Sequence, residues 1–397
     1  MLYYPRRHLV WAGLLMFLLH LRSRLQFTLE RGGATWIANL VRLAGTHEET
    51  IAHGDTLAGW FRRVPARAVL ALVQRAVQRL IRMKALDDFR LEGRFLVAID
   101  GTGMLTFDQR HCPHCLTRQL TNGGTLFYHP VLEAKLVAAN GLVLSVATDF
   151  IENPEGWTPQ TKQDCEQKAF RRLSEHLHDA FPRTPFCLLL DALYLDQAVL
   201  ARCAQYGWKF LITFKPGSMP AVWAEAQHLL SLQAGNRLAA TLPDGTRRLY
   251  RWATEVEPGG CHALFCEETH LDGTVTLFAW LTNFLITRQN VIALADQGGR
   301  LRWKIENEGF NTQKNGGFAL EHAYCRDGNA ARVFYALLQL AHLWQQVLTL
   351  GSLLRPFQKR FVTVRNFVRR LTESLRNELL PPLDEIPPIG QFRWNTS

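Results

Sequence analysis

Residues 95–103, FLVAIDGTG, give the clearest indication of the fold in this sequence. Residues 95–99 form an unbroken apolar run, which is typical of a strand buried on both faces of a sheet. The run stops at Asp100, and the glycines that follow favour a turn. We therefore expect a buried strand that ends in a carboxylate.

A second stretch, FCLLLD at residues 186–191, repeats this pattern and ends at Asp191. Shorter apolar runs predict further strands within residues 125–150 and 208–214, and helices are expected over 162–180 and 197–205. This alternation indicates an α/β fold, in which sites gather at the carboxyl ends of strands. The alternative roles are a turn-forming aspartate for Asp100 and a helix N-cap for Asp191.

A third acid, Glu306, lies in RLRWKIENEGF at residues 300–310. On a helix, Arg302 and Glu306 would share one face, and Trp303 and Phe310 would share another that is suited to packing on the sheet. The rival acid Glu308 has no arginine four residues before it.

Three carboxylates are suited to binding hard divalent cations such as Mg²⁺ or Mn²⁺, which prefer oxygen ligands. Two such ions about 3.5–4 Å apart can stabilise both the attacking and the leaving oxygen of a phosphoryl transfer. Asp100, Asp191 and Glu306 are therefore predicted as the catalytic metal ligands.

The charge distribution indicates a polyanionic partner. The net charge is +10 and the pI is about 9.4. Residues 1–90 hold 14 Lys and Arg against 6 Asp and Glu, and residues 347–397 hold 8 against 4. Basic ends around a slightly acidic centre favour nucleic acid binding, although a solubilising charge bias is the simpler alternative.

Residues 1–90 read as helical. Val69, Val73, Val77 and Leu80 recur on one helical face. Arginines recur on another face, where they are candidates for phosphate contacts or an ordinary solvated surface. These arginines are Arg75, Arg79 and Arg82.

The blocks AIDGTG (98–103), LLLDALY (188–194) and RWKIENEGFNTQKNGG (302–317) resemble the DDE-type insertion-sequence transposases, in particular the insertion sequence four supergroup. Arg302 and Glu306 match the family's Arg-x-x-x-Glu, and Lys314 matches its lysine with one extra residue. Gly299 stands where the family has a tyrosine, which puts that supporting role in doubt. The resemblance covers roughly residues 50–346.

The sequence patterns, together with the ribonuclease-H-like core that the resemblance implies, predict three parts. They are an all-helical DNA-binding or dimerisation domain at 1–90, a ribonuclease-H-like catalytic domain at 91–346 with a β-rich insertion at about 216–285, and a basic, loosely ordered tail at 347–397. The turn sequences ProAspGlyThr at 243–246 and ProGlyGly at 258–260 agree with a β-rich insertion.

The implied function is DNA transposition with two Mg²⁺ or Mn²⁺ ions. Terminal inverted repeats would be cut, and the freed 3′-hydroxyl would be joined to target DNA by a homodimer, with Arg302 and Lys314 contacting phosphates or orienting Glu306. A cytoplasmic, nucleoid-associated location is expected.

The alternatives are an inactive transposase-derived DNA-binding protein, a metal-dependent nuclease without strand transfer, and a membrane-attached protein that uses residues 9–19. That apolar run is too short to span a bilayer, so a buried helix is the favoured interpretation.

Two further features have open interpretations. Cys112 and Cys115 form a Cys-x-x-Cys, for which a loop with free thiols is favoured over half of a structural zinc site. His129 and Cys165 are conceivable partners, whereas Cys261 and Cys266 are distant in sequence. Trp252 and Trp280 are expected in the core, with base stacking as the alternative.

Overall fold

The computed structural model describes residues 3–257, 259–357, 363–382, 384–385 and 392–394. The chain is α/β, with helices around one mixed, largely antiparallel ten-stranded sheet. Within the described ranges, no helix is both long enough and apolar enough to cross a membrane.

Five helices precede the sheet. In α5, the predicted apolar face is buried, because Val69, Val73, Val77 and Leu80 are all at most 8% exposed. The run at residues 9–19 lies almost wholly in the buried helix α1, as the favoured interpretation predicted. The five are α1 (Arg6–Leu18), α2 (Arg24–Glu30), α3 (Ala34–Ala44), α4 (Gly54–Phe61) and α5 (Ala66–Arg82).

The first part of the sheet is built from six strands and two helices. Predicted strands and helices are found here, although α6 begins four residues later than expected. These elements are β1 (Phe95–Phe107), β2 (Leu116–Gln119), β3 (Thr125–Val137), β4 (Val143–Phe150), α6 (Glu166–Ala180), β5 (Phe186–Leu190), α7 (Gln197–Gln205) and β6 (Lys209–Thr213).

The strands run in the order β2-β3-β1-β5-β6, and β4 also pairs with β3. Strands β1, β5 and β6 are parallel to one another, whereas β2, β3, β4 and β1 pair antiparallel. The apolar runs of β1 and β5 are therefore central in the sheet and buried on both faces, which explains their unbroken hydrophobicity.

The expectation that the first strand ends at Asp100 is wrong, because β1 continues to Phe107. Pairing with β5 ends at Ala98, but antiparallel pairing with β3 continues to Phe107 across an irregularity between Gly103 and Leu105. Asp100 thus lies inside the strand, at the point where its parallel neighbour stops.

Residues 216–285 form strands as predicted, together with one helix. They comprise α8 (Pro220–Leu232), β7 (Arg237–Thr241), β8 (Arg247–Val256), β9 (Cys261–Thr269) and β10 (Val275–Thr282). Strand β10 pairs antiparallel with β6, and β9, β8 and β7 follow in order. This segment therefore extends the main sheet.

After β10 the chain becomes helical again, as expected. A short turn, α9 (Thr312–Asn315), precedes the long helix α10 (Gly328–Leu350). Helix α1 packs closely on α10 at Gly13, where an added Cβ would lie 2.8 Å from Leu337 and 2.9 Å from Phe61. The N-terminal helices and α10 contribute to one continuous buried cluster with the sheet, and the domain boundaries stay a prediction.

The C-terminal tail is more ordered in its described part than expected. Helix α11 (Val364–Asn377) lies against α3, where the Asn39 side chain donates 2.8 Å hydrogen bonds to the carbonyls of Leu375 and Glu378. Pro387 and Pro388, in the Pro-rich sequence near the end of the tail, lie outside the described residues.

Candidate active site

Asp100, within β1, and Asp191, directly after β5, lie at the same level of two neighbouring parallel strands. Ala98 is paired with Leu189, and each aspartate follows two residues after its member of this pair. Since adjacent strands are about 4.8 Å apart and side chains alternate, both carboxylates leave the same face of the sheet. The two residues that the sequence predicted as strand-end acids are thus brought together.

The segment that bears Glu306 covers this face. A 3₁₀ turn (Gly299–Trp303), a π-helical stretch (Ile305–Asn311) and α9 follow one another here. Ile305 and Phe310 are buried in the same apolar cluster as Ala98 and Leu189. Packing of these side chains holds Glu306 over the sheet near Asp100.

Arg302 links the two acids. One guanidinium nitrogen, Nη2, lies 3.0 Å from Glu306 Oε1, and Nη1 lies 3.5 Å from Asp100 Oδ2. Arg302 is only 7% exposed, so these contacts form away from bulk water. The predicted placement of Arg302 and Glu306 on one face is confirmed.

The Asp100 carboxyl has an unusual affinity for protons. Burial raises its pKa to about 7, and the nearby Glu306 carboxylate adds to the rise, while Arg302 opposes it. When two carboxyl groups lie close together in a partly buried site, a nearby positive charge stabilises their ionised forms. A divalent cation with oxygen ligands suits such a pair.

Asp191 also has the local role that was considered for it. Its Oδ1 accepts a 2.7 Å hydrogen bond from the Ala192 amide at the start of a short 3₁₀ turn. This bond fixes the carboxylate directly after β5. Asp191 lines a surface groove there, together with Arg302 and Trp303. Capping and metal binding can therefore coexist at this residue.

The three acids do not form one tight cluster of ligand atoms. Within the described ranges, the only group of three His, Cys, Asp or Glu ligand atoms that lie within 4.8 Å of one another is at Cys112, Cys115 and His129. Asp100 and Glu306 are adjacent, and Asp191 stands on the next strand. Two ions bound side by side would span a wider set of ligands than one ion does.

Sequence reasoning missed a fourth carboxylate beside the site. Glu166, the first residue of α6, fills the space over Gly101 so closely that a side chain there would collide with it. Its Oε2 accepts a 3.0 Å hydrogen bond from the Tyr194 hydroxyl. Burial and the negative charges of Glu166, Asp100 and Asp191 raise the pKa of Tyr194. The glycine after Asp100 and the tyrosine of LLLDALY were the available signals.

The structure explains the missing tyrosine at position 299. An added Cβ on Gly299 would collide with the Trp280 indole, which is 4% exposed. The tryptophan therefore occupies the space into which a side chain at 299 would extend. Trp252 is also buried, at 3% exposed, so both tryptophans are core residues as favoured.

Trp303 does not pack on the sheet as predicted. It is 54% exposed, whereas Phe310 is 5% exposed. The prediction assumed one regular helix, but the change from 3₁₀ to π-helical geometry alters the angle per residue, so the two rings no longer share a face. The Arg302 guanidinium lies over the Trp303 ring, 4.8 Å from its centroid.

Two other predicted residues have partners of their own. Lys314 lies in α9 and forms a 2.8 Å ion pair with Glu321 rather than with Glu306. The rival acid Glu308 forms an ion pair with Lys304. Of the two glutamates, Glu306 is therefore the one that pairs with Arg302, next to Asp100.

The three arginines of α5 are exposed as predicted. Helix α5 packs against α10 and β4, and β4 is separated from β1 by β3. The structure therefore does not bring these arginines to the acids. The residues are Arg75, Arg79 and Arg82.

The sequence was compared with protein-family models and with curated proteins. Neither comparison gives a match.

Proposed function

We propose that this protein is a DDE-type DNA transposase that cuts transposon ends and joins them to target DNA. One observation carries the proposal: Asp100 and Asp191 each lie two residues after the last parallel pair of two central strands, and Arg302 holds Glu306 beside Asp100. Phosphoryl transfer with two metal ions needs such convergent carboxylates.

The sheet supports this proposal. Antiparallel strands β4, β3 and β1 followed by parallel β5 and β6, with one acid within β1 and one directly after β5, are compatible with a ribonuclease-H-like core. The strands β7–β10 lie between β6 and the segment that bears Glu306, where the resemblance expects a β-rich insertion.

The π-helical stretch supports the alignment of Lys314. The sequence has one residue more between Glu306 and the lysine than the family pattern. A π-helix bonds residues i and i+5, so it takes up an added residue without ending the helical segment. The stretch Ile305–Asn311 includes Glu306 and continues into this interval.

Asp100, Asp191 and Glu306 would hold the Mg²⁺ or Mn²⁺ ions. When bound, such a pair stabilises the developing charge on the attacking and leaving oxygens of the phosphodiester. Arg302 orients Glu306 through its 3.0 Å ion pair and keeps the two acids close before any cation binds. Asp191 is oriented by the Ala192 amide.

DNA would enter along the groove beside Asp191. This groove has a volume of about 430 Å³, and Lys215, Arg300 and Arg302 supply positive charge to its lining. The exposed Trp303 ring offers an apolar surface there on which a base could stack. We extend the proposal to a homodimer that brings two DNA ends together in the cytoplasm.

A strand-transfer assay tests this function. A labelled duplex with a pre-cut 3′-hydroxyl end from the DNA that flanks the gene is incubated with the protein, a plasmid and Mg²⁺. We expect labelled plasmid, and none when the end is a 3′-dideoxynucleotide. Cutting without joining would indicate a plain nuclease, and binding without either reaction would indicate an inactive transposase-derived protein.

A further inference from the structure

The loop between β1 and β2 contains a cluster that the proposed activity does not use. Cys112 and Cys115 both direct their sulfur atoms at His129 of β3. The Sγ–Nε2 distances are 3.3 Å and 3.2 Å, and the two sulfurs are 3.6 Å apart. A disulfide has its sulfurs about 2.0 Å apart, so the thiols are free.

Hydrogen bonding alone explains this convergence poorly. A neutral imidazole nitrogen has either one N–H or one lone pair, so it makes one good hydrogen bond in the ring plane. Here two thiols approach the same Nε2 atom. Cys115 is 0% exposed and His129 is 5% exposed, so the contacts are shielded from water.

The distances fit a tetrahedral zinc ion. With Zn–S of about 2.3 Å and Zn–N of about 2.0–2.1 Å, tetrahedral ligands lie about 3.8 Å apart for two sulfurs and about 3.6 Å apart for sulfur and nitrogen. The observed separations are shorter by a few tenths of an ångström. Small outward shifts of the side chains would admit the ion.

Neighbouring groups complete the surroundings of such a site. Glu152 Oε1 lies 3.5 Å from His129 Nδ1, the ring atom that would not touch the metal. A carboxylate behind a metal-binding histidine is a common arrangement that fixes its orientation. Glu152 is held in turn by an ion pair with Arg332 of α10.

We propose that Cys112, Cys115 and His129 bind one structural Zn²⁺ ion, with water as the fourth ligand on the side of half-buried Cys112. The ion ties the β1–β2 loop to β3. Leu105 of β1 pairs with His129, five residues beyond Asp100, so the zinc lies about 17 Å along the strand from the carboxylates. It is a site separate from the one proposed for catalysis.

Metal analysis and cobalt substitution test the proposal on the whole chain. We expect one zinc per chain after buffer exchange. The Co²⁺-loaded protein should absorb strongly in the visible range, as tetrahedral Co²⁺ does, with a thiolate charge-transfer band. Cys112→Ser and His129→Asn should lose the zinc, whereas Cys165→Ser, a half-buried cysteine outside the cluster, should retain it. Glu152→Gln should weaken zinc affinity by roughly 10–100-fold.

Two results would overturn the proposal. One is a zinc content below about a tenth of an ion per chain in wild type grown with added zinc. The other is an unchanged zinc content in Cys112→Ser and His129→Asn. If these variants do not fold, the wild-type Co²⁺ spectrum decides, and a weak octahedral spectrum without a thiolate band counts against the site. None of these measurements depends on DNA cleavage.

Discussion

Arg302 shows how a single residue organises the candidate site. Its guanidinium is in contact with Glu306 and Asp100, and it is nearly buried. Burying a charge is costly unless it is paired, and two acids supply the pairing here. The same positive charge limits the rise in the pKa of Asp100 that burial causes.

The two glutamates of the segment should differ in function. Glu306→Gln removes a proposed metal ligand, so we expect Mg²⁺-dependent DNA cleavage to fall by about 10²–10³-fold, the scale for losing a group that acts on the transition state. Glu308→Gln, two residues away, removes only the ion pair with Lys304 and should change cleavage less than about threefold. Equal losses in both variants would contradict the assignment.

The position of the segment that bears Glu306 depends on the close contact between Gly299 and Trp280. Gly299→Ala places a methyl group against Trp280, so we expect a loss of about 1–3 kcal/mol in the free energy of unfolding. Replacing Trp280 by Phe in the same chain should reduce this penalty. Denaturant unfolding measures both effects.

Gly59→Ala is a matched control for that experiment. Gly59 lies within α4, and an added Cβ there meets nothing within 4 Å. This change should leave stability unchanged or raise it by up to about 1 kcal/mol. A Gly299→Ala variant as stable as wild type would show that the segment can move away from Trp280.

Helix α5 is expected to contact DNA phosphates. Replacing Arg75, Arg79 and Arg82 by Ala should weaken DNA binding without altering the proposed metal site. The slope of log affinity against log salt should become shallower by up to about 2.7, because each lost phosphate contact contributes about 0.9. A salt titration with labelled duplex DNA checks this, and an unchanged slope would mean that these arginines form an ordinary solvated face.

Periodicity and apolar runs predicted most elements of this fold because burial selects those patterns directly. Strands β1 and β5 and the buried face of α5 are examples. The end of β1 was predicted wrongly, since pairing with β3 depends on contacts that are distant in sequence. Trp303 was misplaced because a π-helix is not visible in a pattern read with a constant helical period.

The site was predictable only in part. Asp100, Asp191 and Glu306 could be found because they follow apolar runs or sit four residues after an arginine. His129 was one of two conceivable partners of Cys112 and Cys115, and only the fold distinguishes it from Cys165. Glu166 was missed, since the fold brings it to Gly101 from a helix that is distant in sequence.

At the scale of the whole molecule, a buried polar cluster should make stability depend on pH. Burial, together with the nearby positive charge of Lys135 and His20, lowers the pKa of His342 from 6.5 to about 3. Its Nδ1 accepts a 3.0 Å hydrogen bond from Gln313. Below pH 6.5 His342 is protonated in the unfolded chain but stays neutral in the folded chain. Its contribution to the free energy of unfolding is therefore complete above this pH and is lost as the pH falls toward 3.

The expected loss from this one residue is about 2 kcal/mol at pH 5. In His342→Asn, whose amide oxygen can accept from Gln313, the free energy of unfolding should therefore fall less between pH 7 and pH 5 than in wild type. Other buried histidines such as His8 act with the same sign, so the difference between the two proteins is the relevant quantity. Parallel pH profiles would contradict the assignment to His342.

We propose above that Asp100, Asp191 and Glu306 act together to cut DNA with divalent cations. The most direct measurement is cleavage of a plasmid that carries the gene's flanking DNA, with Mg²⁺, by wild type and by Asp100→Asn. We predict that wild type cuts at the ends of the element and that Asp100→Asn binds the same DNA equally well but leaves it intact. Cleavage by Asp100→Asn at the wild-type rate would contradict the account.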